Sequence, residues 1–171
     1  MKKILLSLVV FYIALIVLMP KKELYYTLND ILKSNLIEIS QKSLHDKLFF
    51  LEIKDVELYY DKAKVADIKK IDIIPFIFFN KATILNIELA DSVKNILNFK
   101  AKELKLTYNI FGFSKIYIAS NGTFGELEGE FDLKSKKLFL KLTPSKEFEN
   151  DKNINKFFKK TENGYIHESS I

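Results

Sequence analysis

Residues 115–142 read KIYIASNGTFGELEGEFDLKSKKLFLKL, and this stretch decides the fold. Lys115 to Ile118 and Lys137 to Leu142 alternate polar and apolar side chains, and Glu126, Glu128, Glu130 and Asp132 recur at every second position. A period of two places successive side chains on opposite faces of a pleated strand, so these runs are strands with one buried and one solvated face. Asn121-Gly122 and Lys134-Ser135-Lys136 punctuate them. Asn-Gly signals a tight hairpin because a type I′ turn needs positive φ at both central residues. Such short connections join antiparallel neighbours, whereas parallel strands need long crossovers that the sequence lacks.

The pattern continues outward. Val56 to Tyr60, Ile68 to Ile73, Thr83 to Leu89 and Phe99 to Tyr108 alternate in the same way, with Asp61-Lys62 and Gly112 as turn residues. Residues 55–73 and 103–118 echo each other weakly, each a strand ending in Tyr, a turn and a returning strand. Beyond Pro144 the chain becomes polar, Ile154 to Lys160 suggests a short helix, and Asn163-Gly164 turns into a last strand at Tyr165-Ile166-His167. The expected fold is mainly β. Residues 37–171 form a curved, largely antiparallel meander sheet, an open half-barrel with short flanking helices. Its apolar face is covered by helices, by a membrane or by the sheet's own curvature.

Ahead of the sheet stands an apolar segment, residues 4–19, ILLSLVVFYIALIVLM. As a helix it spans about 24 Å, short of a hydrocarbon core of roughly 30 Å, and Lys2, Lys3, Lys21 and Lys22 can snorkel to close the gap. No small-residue cleavage site precedes Pro20, so residues 1–20 read as an uncleaved transmembrane anchor. The lysines ahead of it favour a cytoplasmic N-terminus. The expectation is a single-pass inner-membrane protein with its C-terminal domain in the periplasm. Residues 21–36 read as a linker helix, with Leu24, Leu28, Ile31 and Leu32 on one stripe and Thr27, Asn29, Asp30 and Lys33 off it.

Composition narrows the function classes. The chain has 171 residues and a net charge of +5, yet acidic and basic residues nearly balance from residue 21 onward, and all 27 basic residues are Lys. Without a basic stripe or the bidentate fork of Arg, a nucleic-acid partner is not expected. The absence of Cys removes disulfides, thiolate metal sites and Cys nucleophiles. His45 and His167 stand in unrelated polar contexts and read as solvated residues. Asp55, Glu57 and Asp61, like Glu126 to Asp132, share faces at i, i+2 spacing; two such carboxylates can hold a cation or do acid-base work, but this is also how any solvated sheet face looks. Gly122, Gly125 and Gly129 follow a hairpin signal, as turn or bulge residues do, and form no phosphate cradle. No catalytic, metal-ligating or cofactor-binding residue is expected, and the protein reads as a non-enzyme.

One stretch breaks the alternation: Ile71-Asp72-Ile73-Ile74-Pro75-Phe76-Ile77-Phe78-Phe79. The preferred reading is a core segment covered on both faces, with Pro75 interrupting the ladder at an edge. The alternative makes Phe76, Ile77, Phe78 and Phe79 a contact for lipid or for a membrane partner.

Taken in order, several patches resemble a known family. They are the anchor followed by Pro20 and Leu24-Tyr25-Tyr26, then Val56 to Asp61, Ile68 to Pro75 and Phe78-Phe79-Asn80. Gly129 to Lys134, Lys137 to Ser145 and Asn163-Gly164-Tyr165 complete the series. The chain is similar to the inner-membrane N protein (GspN) of type II secretion systems, related in architecture to AsmA-like and TamB-like envelope proteins, although it is shorter between residues 80 and 130. That resemblance implies a bitopic, non-catalytic scaffold or interaction subunit whose partners are other envelope or secretion-system proteins. For AsmA-like relatives it implies a concave apolar sheet face that binds or transfers membrane lipid.

Overall fold

The computed structural model describes residues 2–94, 98–112, 114–150, 154–162 and 164–170. Two helices lead the chain, α1 (Lys2–Val17) and α2 (Lys21–Ser34), bent by 53° across Pro20. Neither alone is long and apolar enough to cross a membrane, although the bent pair passes on length and composition. A ten-stranded sheet follows, with β1 (Ile37–Asp46), β2 (Leu51–Tyr60), β3 (Ala63–Pro75), β4 (Phe79–Leu89) and β5 (Lys100–Asn109) in its first half. The second half is β6 (Lys115–Gly122), β7 (Gly125–Asp132), β8 (Lys137–Pro144), β9 (Lys159–Thr161) and β10 (Gly164–Ser170). Short helices α3 (Asp91–Lys94) and α4 (Ile154–Phe157) lie in connections. All pairings are antiparallel, in the spatial order β1-β2-β3-β4-β5-β6-β7-β8-β10-β9, so the meander is complete except for one exchange at its end.

Turn chemistry explains most connections. Asp61 and Lys62 both adopt positive φ, 46° and 66°, the geometry that suits the twist of the flanking strands. Asn121-Gly122 behaves otherwise: β6 runs through Gly122, which pairs with Gly125, and the loop is Thr123-Phe124. A Cβ on Gly122 would collide with the Lys100 carbonyl oxygen, so this glycine admits a neighbouring backbone rather than making the turn. Asn163 and Phe113 lie outside the described residues; the strand expected at Tyr165 is β10.

The helix α2 packs differently from its apolar periodicity. Its buried residues are Lys21, Tyr25 and Asn29, while Leu24, Leu28 and Ile31 face outward. The cause is the element it covers. β1 is an edge strand, and an edge strand presents unpaired N–H and C=O groups. Asn29 answers both: its Nδ2 donates to the Ile39 carbonyl at 3.5 Å, and its Oδ1 accepts from the Ile39 N–H at 3.4 Å. The Tyr25 hydroxyl donates to Gln41 Oε1 at 2.8 Å, and burial pushes its pKa up to about 12, with Tyr26 adding to the shift. Lys21, 3% exposed, pairs with Asp46 at 2.8 Å. Just past the end of α2, the Asp61 N–H donates to the Leu36 carbonyl at 2.9 Å, so α2 is tied to β1 from Ile39 to Asp46 and the residue after it is tied to the turn that follows β2.

Antiparallel connectivity sorts the loops into two groups. Residues 47–50, 76–78, 110–112, 114 and 133–136 gather at the end of the sheet where Lys21 meets Asp46 and α1 departs. Among the described residues, 61–62, 90–94, 98–99, 123–124, 145–150 and 154–158 lie in connections at the far end. Two buried clusters form the core. Tyr25, Leu51, Ile53, Val56, Ile68 and Ile71 pack under α2. Ala101, Phe124, Leu142, Phe148 and Tyr165 pack at the far end, and Ile87 touches both clusters.

Candidate functional site

Cross-strand partners point to the same side of a sheet, so the register gives the two faces directly. One row runs Leu44, Ile53, Ile71, Ile84, Leu104, Ser120, Leu127, Leu142, Tyr165. The adjacent row is Leu51, Ile73, Ala82, Leu106, Ile118, Gly129, Leu140, His167. The opposite face carries Glu52, Asp72, Thr83, Lys105, Ala119, Glu128 and Lys141 in register. One face is thus apolar across nine strands and the other is charged.

Among the described residues, cover over that apolar face lies at its flanks. On one side lies α2; on the other, Phe148 and Phe158 fold over from the connection between β8 and β10. Between them Leu106, Ile118 and Leu140 remain half-buried. At the far end the face deepens into a cavity of about 290 Å³, lined by Ile87, Phe99, Ala101, Leu104, Ser120, Phe124, Leu127, Leu142, Phe148 and Phe158. Ser120 brings the sole side-chain hydroxyl to this lining, and it is already satisfied, donating to the Glu103 carbonyl at 2.8 Å. A cavity lined in this way offers water no partners and suits an apolar guest. Its wall is aromatic: Phe124 stands edge-on to Phe99 at 5.4 Å and to Phe148 at 6.4 Å.

A second apolar feature lies at the α1 end. Phe76, Ile77, Phe78 and Phe79 form no doubly covered core strand: β3 stops at Pro75, β4 starts at Phe79, and the three residues between are the hairpin tip. Ile77, Phe78 and Phe79 are exposed and Phe76 is half-buried. The neighbouring tips match, with Leu48 and Phe49 exposed after β1 and Ile110 and Phe111 exposed after β5. The Ile110 N–H donates to the Phe78 carbonyl at 3.1 Å, joining two of the tips. Tyr12 of α1 stacks on Phe78, rings 5.7 Å apart and 23° from parallel.

Several polar groups on the charged face and in the turns are engaged with one another. Lys64 bridges Glu57 and Asp67, 2.7 Å from each, and Glu57 also accepts from the Tyr59 hydroxyl at 2.9 Å. The Lys64 hydrogen bond, then the Tyr59 one, holds the Glu57 carboxyl below its ordinary value. Glu52 lies between Lys54 at 3.1 Å and Lys70 at 3.2 Å, and the Lys54 hydrogen bond leads in lowering its pKa. Glu130 pairs with Lys115 at 2.6 Å, and Asp132 accepts from the Lys134 and Ser135 N–H groups as a turn residue. Among the described residues, no three His, Cys, Asp or Glu side chains stand together as a metal site. His45 is exposed. His167 differs from a solvated residue: it sits half-buried on the apolar face, 5.9 Å from the Phe158 ring, with Nδ1 2.6 Å from the Phe157 carbonyl.

No family model, curated protein or solved structure matches this chain. The cavity aromatics Phe99, Phe124, Phe148 and Phe158 carry no motif, and periodicity alone does not single them out. A usable signal is chemical misplacement: Phe124 beside two glycines, and Leu48-Phe49-Phe50 and Ile110-Phe111 in connections where polar turn residues are the norm.

Proposed function

We propose that this protein is a membrane-anchored, non-catalytic lipid-binding protein of the bacterial envelope, with the apolar face of its sheet holding acyl chains. The observation that carries this reading is the row from Leu44 to Tyr165, apolar at every position but Ser120, which leads into the aromatic-walled cavity. Monomeric soluble domains rarely leave so large a contiguous apolar surface open, and such surfaces mark ligand or membrane contacts. The α1 segment supplies the tether, and a curved sheet lets one chain lie along the face. The domain stands in the periplasm in this reading, in keeping with the AsmA-like envelope proteins the sequence resembles.

A scaffold role in a type II secretion-like apparatus is the second reading. The outward stripe of Leu24, Leu28 and Ile31 favours it, since that helix face is open to a membrane partner. Strand addition has little to work with: Asn29 occupies the β1 edge, and the opposite edge strand β9 is three residues long with two lysines.

The test is purification of the full chain in mild detergent, followed by native mass spectrometry and lipid extraction. A photoreactive fatty-acid probe should label peptides carrying Phe99, Leu127 or Phe158. Ser120→Lys should abolish labelling while the far-ultraviolet circular dichroism stays unchanged. Preparations that hold no lipid but bring secretion subunits with them would replace the first reading with the second.

A further inference from the structure

We propose that the loop tips at the α1 end of the sheet form a bilayer-inserting rim, so that the domain stands on the membrane surface with this end immersed. Leu48, Phe49, Ile77, Phe78, Ile110 and Phe111 come from three separate connections and are all exposed at one end. The described residues of the four connections there, 47–50, 76–78, 110–112, 114 and 133–136, include no acidic residue and carry Lys47, Lys134 and Lys136. The far end is mixed in charge, with Asp61, Asp91, Glu147 and Glu149 standing beside Lys62, Lys94 and Lys146 in its connections. Apolar tips with flanking lysines match a bilayer interface, where the acyl boundary takes the tips and lipid phosphates attract the cations.

The contact between α1 and the sheet sets the depth. Tyr12 lies five residues before Val17, the last residue of α1, which is about 7.5 Å back along a helix rising 1.5 Å per residue. Because Phe78 stacks on Tyr12, its tip reaches that same level once α1 enters the membrane. Interfacial elements bury their apolar side to about 5–10 Å, so the stack holds the rim at the depth that insertion requires. The lipid-facing rows of the sheet then open at the membrane surface, giving an acyl chain a continuous apolar path from bilayer to cavity. This inference rests on the membrane attachment proposed above but not on what fills the cavity.

The chain has no Trp, so a single introduced Trp reports one site alone. Full-length Phe111→Trp, Leu48→Trp and Tyr60→Trp proteins are reconstituted into vesicles of phosphatidylcholine and phosphatidylglycerol, with and without lipid brominated in the upper acyl chain. Tyr60 is the far-end reference, 55% exposed against 78% for Phe111 and 59% for Leu48. Indole emission from the Phe111→Trp and Leu48→Trp proteins should shift to the blue and lose intensity to the brominated lipid, while emission from Tyr60→Trp stays red and is quenched by aqueous iodide. Iodide quenching in all three proteins overturns the rim, and so does equal bromine quenching in all three, which would mean the sheet lies flat. Lipid extraction reads the cavity separately, so either proposal can fail while the other stands.

Discussion

Phe124→Ala is the most informative single substitution. Phe124 is 5% exposed, its ring closes the cavity, and it makes two edge-on aromatic contacts, with Phe99 and Phe148. Truncating a buried Phe to Ala costs about 3–5 kcal/mol through lost transfer energy and the void left behind. The space beside the ring is already loosely filled, which points to the lower end, about 3 kcal/mol. For a domain of this size about 1 kcal/mol shifts Tm by roughly 2–4 °C, so thermal melting followed by circular dichroism should move down by roughly 6–12 °C. Phe124→Leu keeps most of the volume and should cost no more than about 1.5 kcal/mol. Phe111→Ala, at an exposed tip, should stay within about 0.5 kcal/mol of the parent in detergent. Saturation with a long-chain ligand at about 100 times Kd adds roughly 2.7 kcal/mol to either protein, so at one ligand concentration a larger gain in the variant would report tighter binding to the enlarged cavity. A Phe124→Ala melting curve that overlays the parent, or one matched by Phe111→Ala, would show that this cluster does not hold the far end together.

Three further outcomes follow from the contacts described. Asp46→Asn strands the buried Lys21 ammonium and should cost near the lower end of the ~3–5 kcal/mol of breaking a buried pair, because Asp46 is one-third exposed; Lys21→Met should cost less, as urea unfolding midpoints would reveal. Gly129→Ala places a Cβ against the Phe139 carbonyl and the Leu140 side chain and should lose about 1–3 kcal/mol in the same assay, with β7 and β8 the first strands to lose amide-exchange protection. Glu52 and Glu57 have folded-state pKa values below their ordinary ones, so their contribution is fully present above the unfolded value near pH 4.3 and is lost as pH falls through it toward the folded value; unfolding midpoints should drop below about pH 4.5, and the drop should shrink in Glu57→Gln.

How far the sequence reveals this molecule depends on which interactions are local. Strand alternation is local, and β2 to β8 contain the alternating runs and β10 the residues after the Asn163-Gly164 signal, while β1 lies in the region assigned to the sheet with no run of its own singled out. The three-residue β9 is different: it takes up the end of the run from Ile154 to Lys160 that reads as helix, because pairing with β10 is available to it there. The Asp61-Lys62 turn is local too, since two polar residues tolerate positive φ there. Asn121-Gly122 misleads because the demand on Gly122 is imposed from β5, over 20 residues away in the chain. The α2 stripe misleads for a related reason: a helix laid on a strand edge has to present hydrogen-bonding groups, so Tyr25 and Asn29 turn inward and the leucines outward. The Phe76 to Phe79 run is ambiguous in sequence because an apolar hairpin tip and a buried strand have the same composition. Phe124, Phe148 and Phe158 converge only through the pairing of β6, β7, β8 and β10, which no short window contains.

The amide of Asn29 has a consequence for growth. With one margin of the ribbon covered by a helix and the other tapering to a three-residue strand, the sheet offers a neighbouring molecule only short stretches of free edge on which to widen it. New width comes more readily from inside, by copying a hairpin and splicing it into the middle, which would add roughly 9.5 Å of greasy floor per copy at a strand spacing of about 4.8 Å. Longer versions of such a chain would then be built as extended troughs with the same two end-pieces, and their load would scale with the number of hairpins between them.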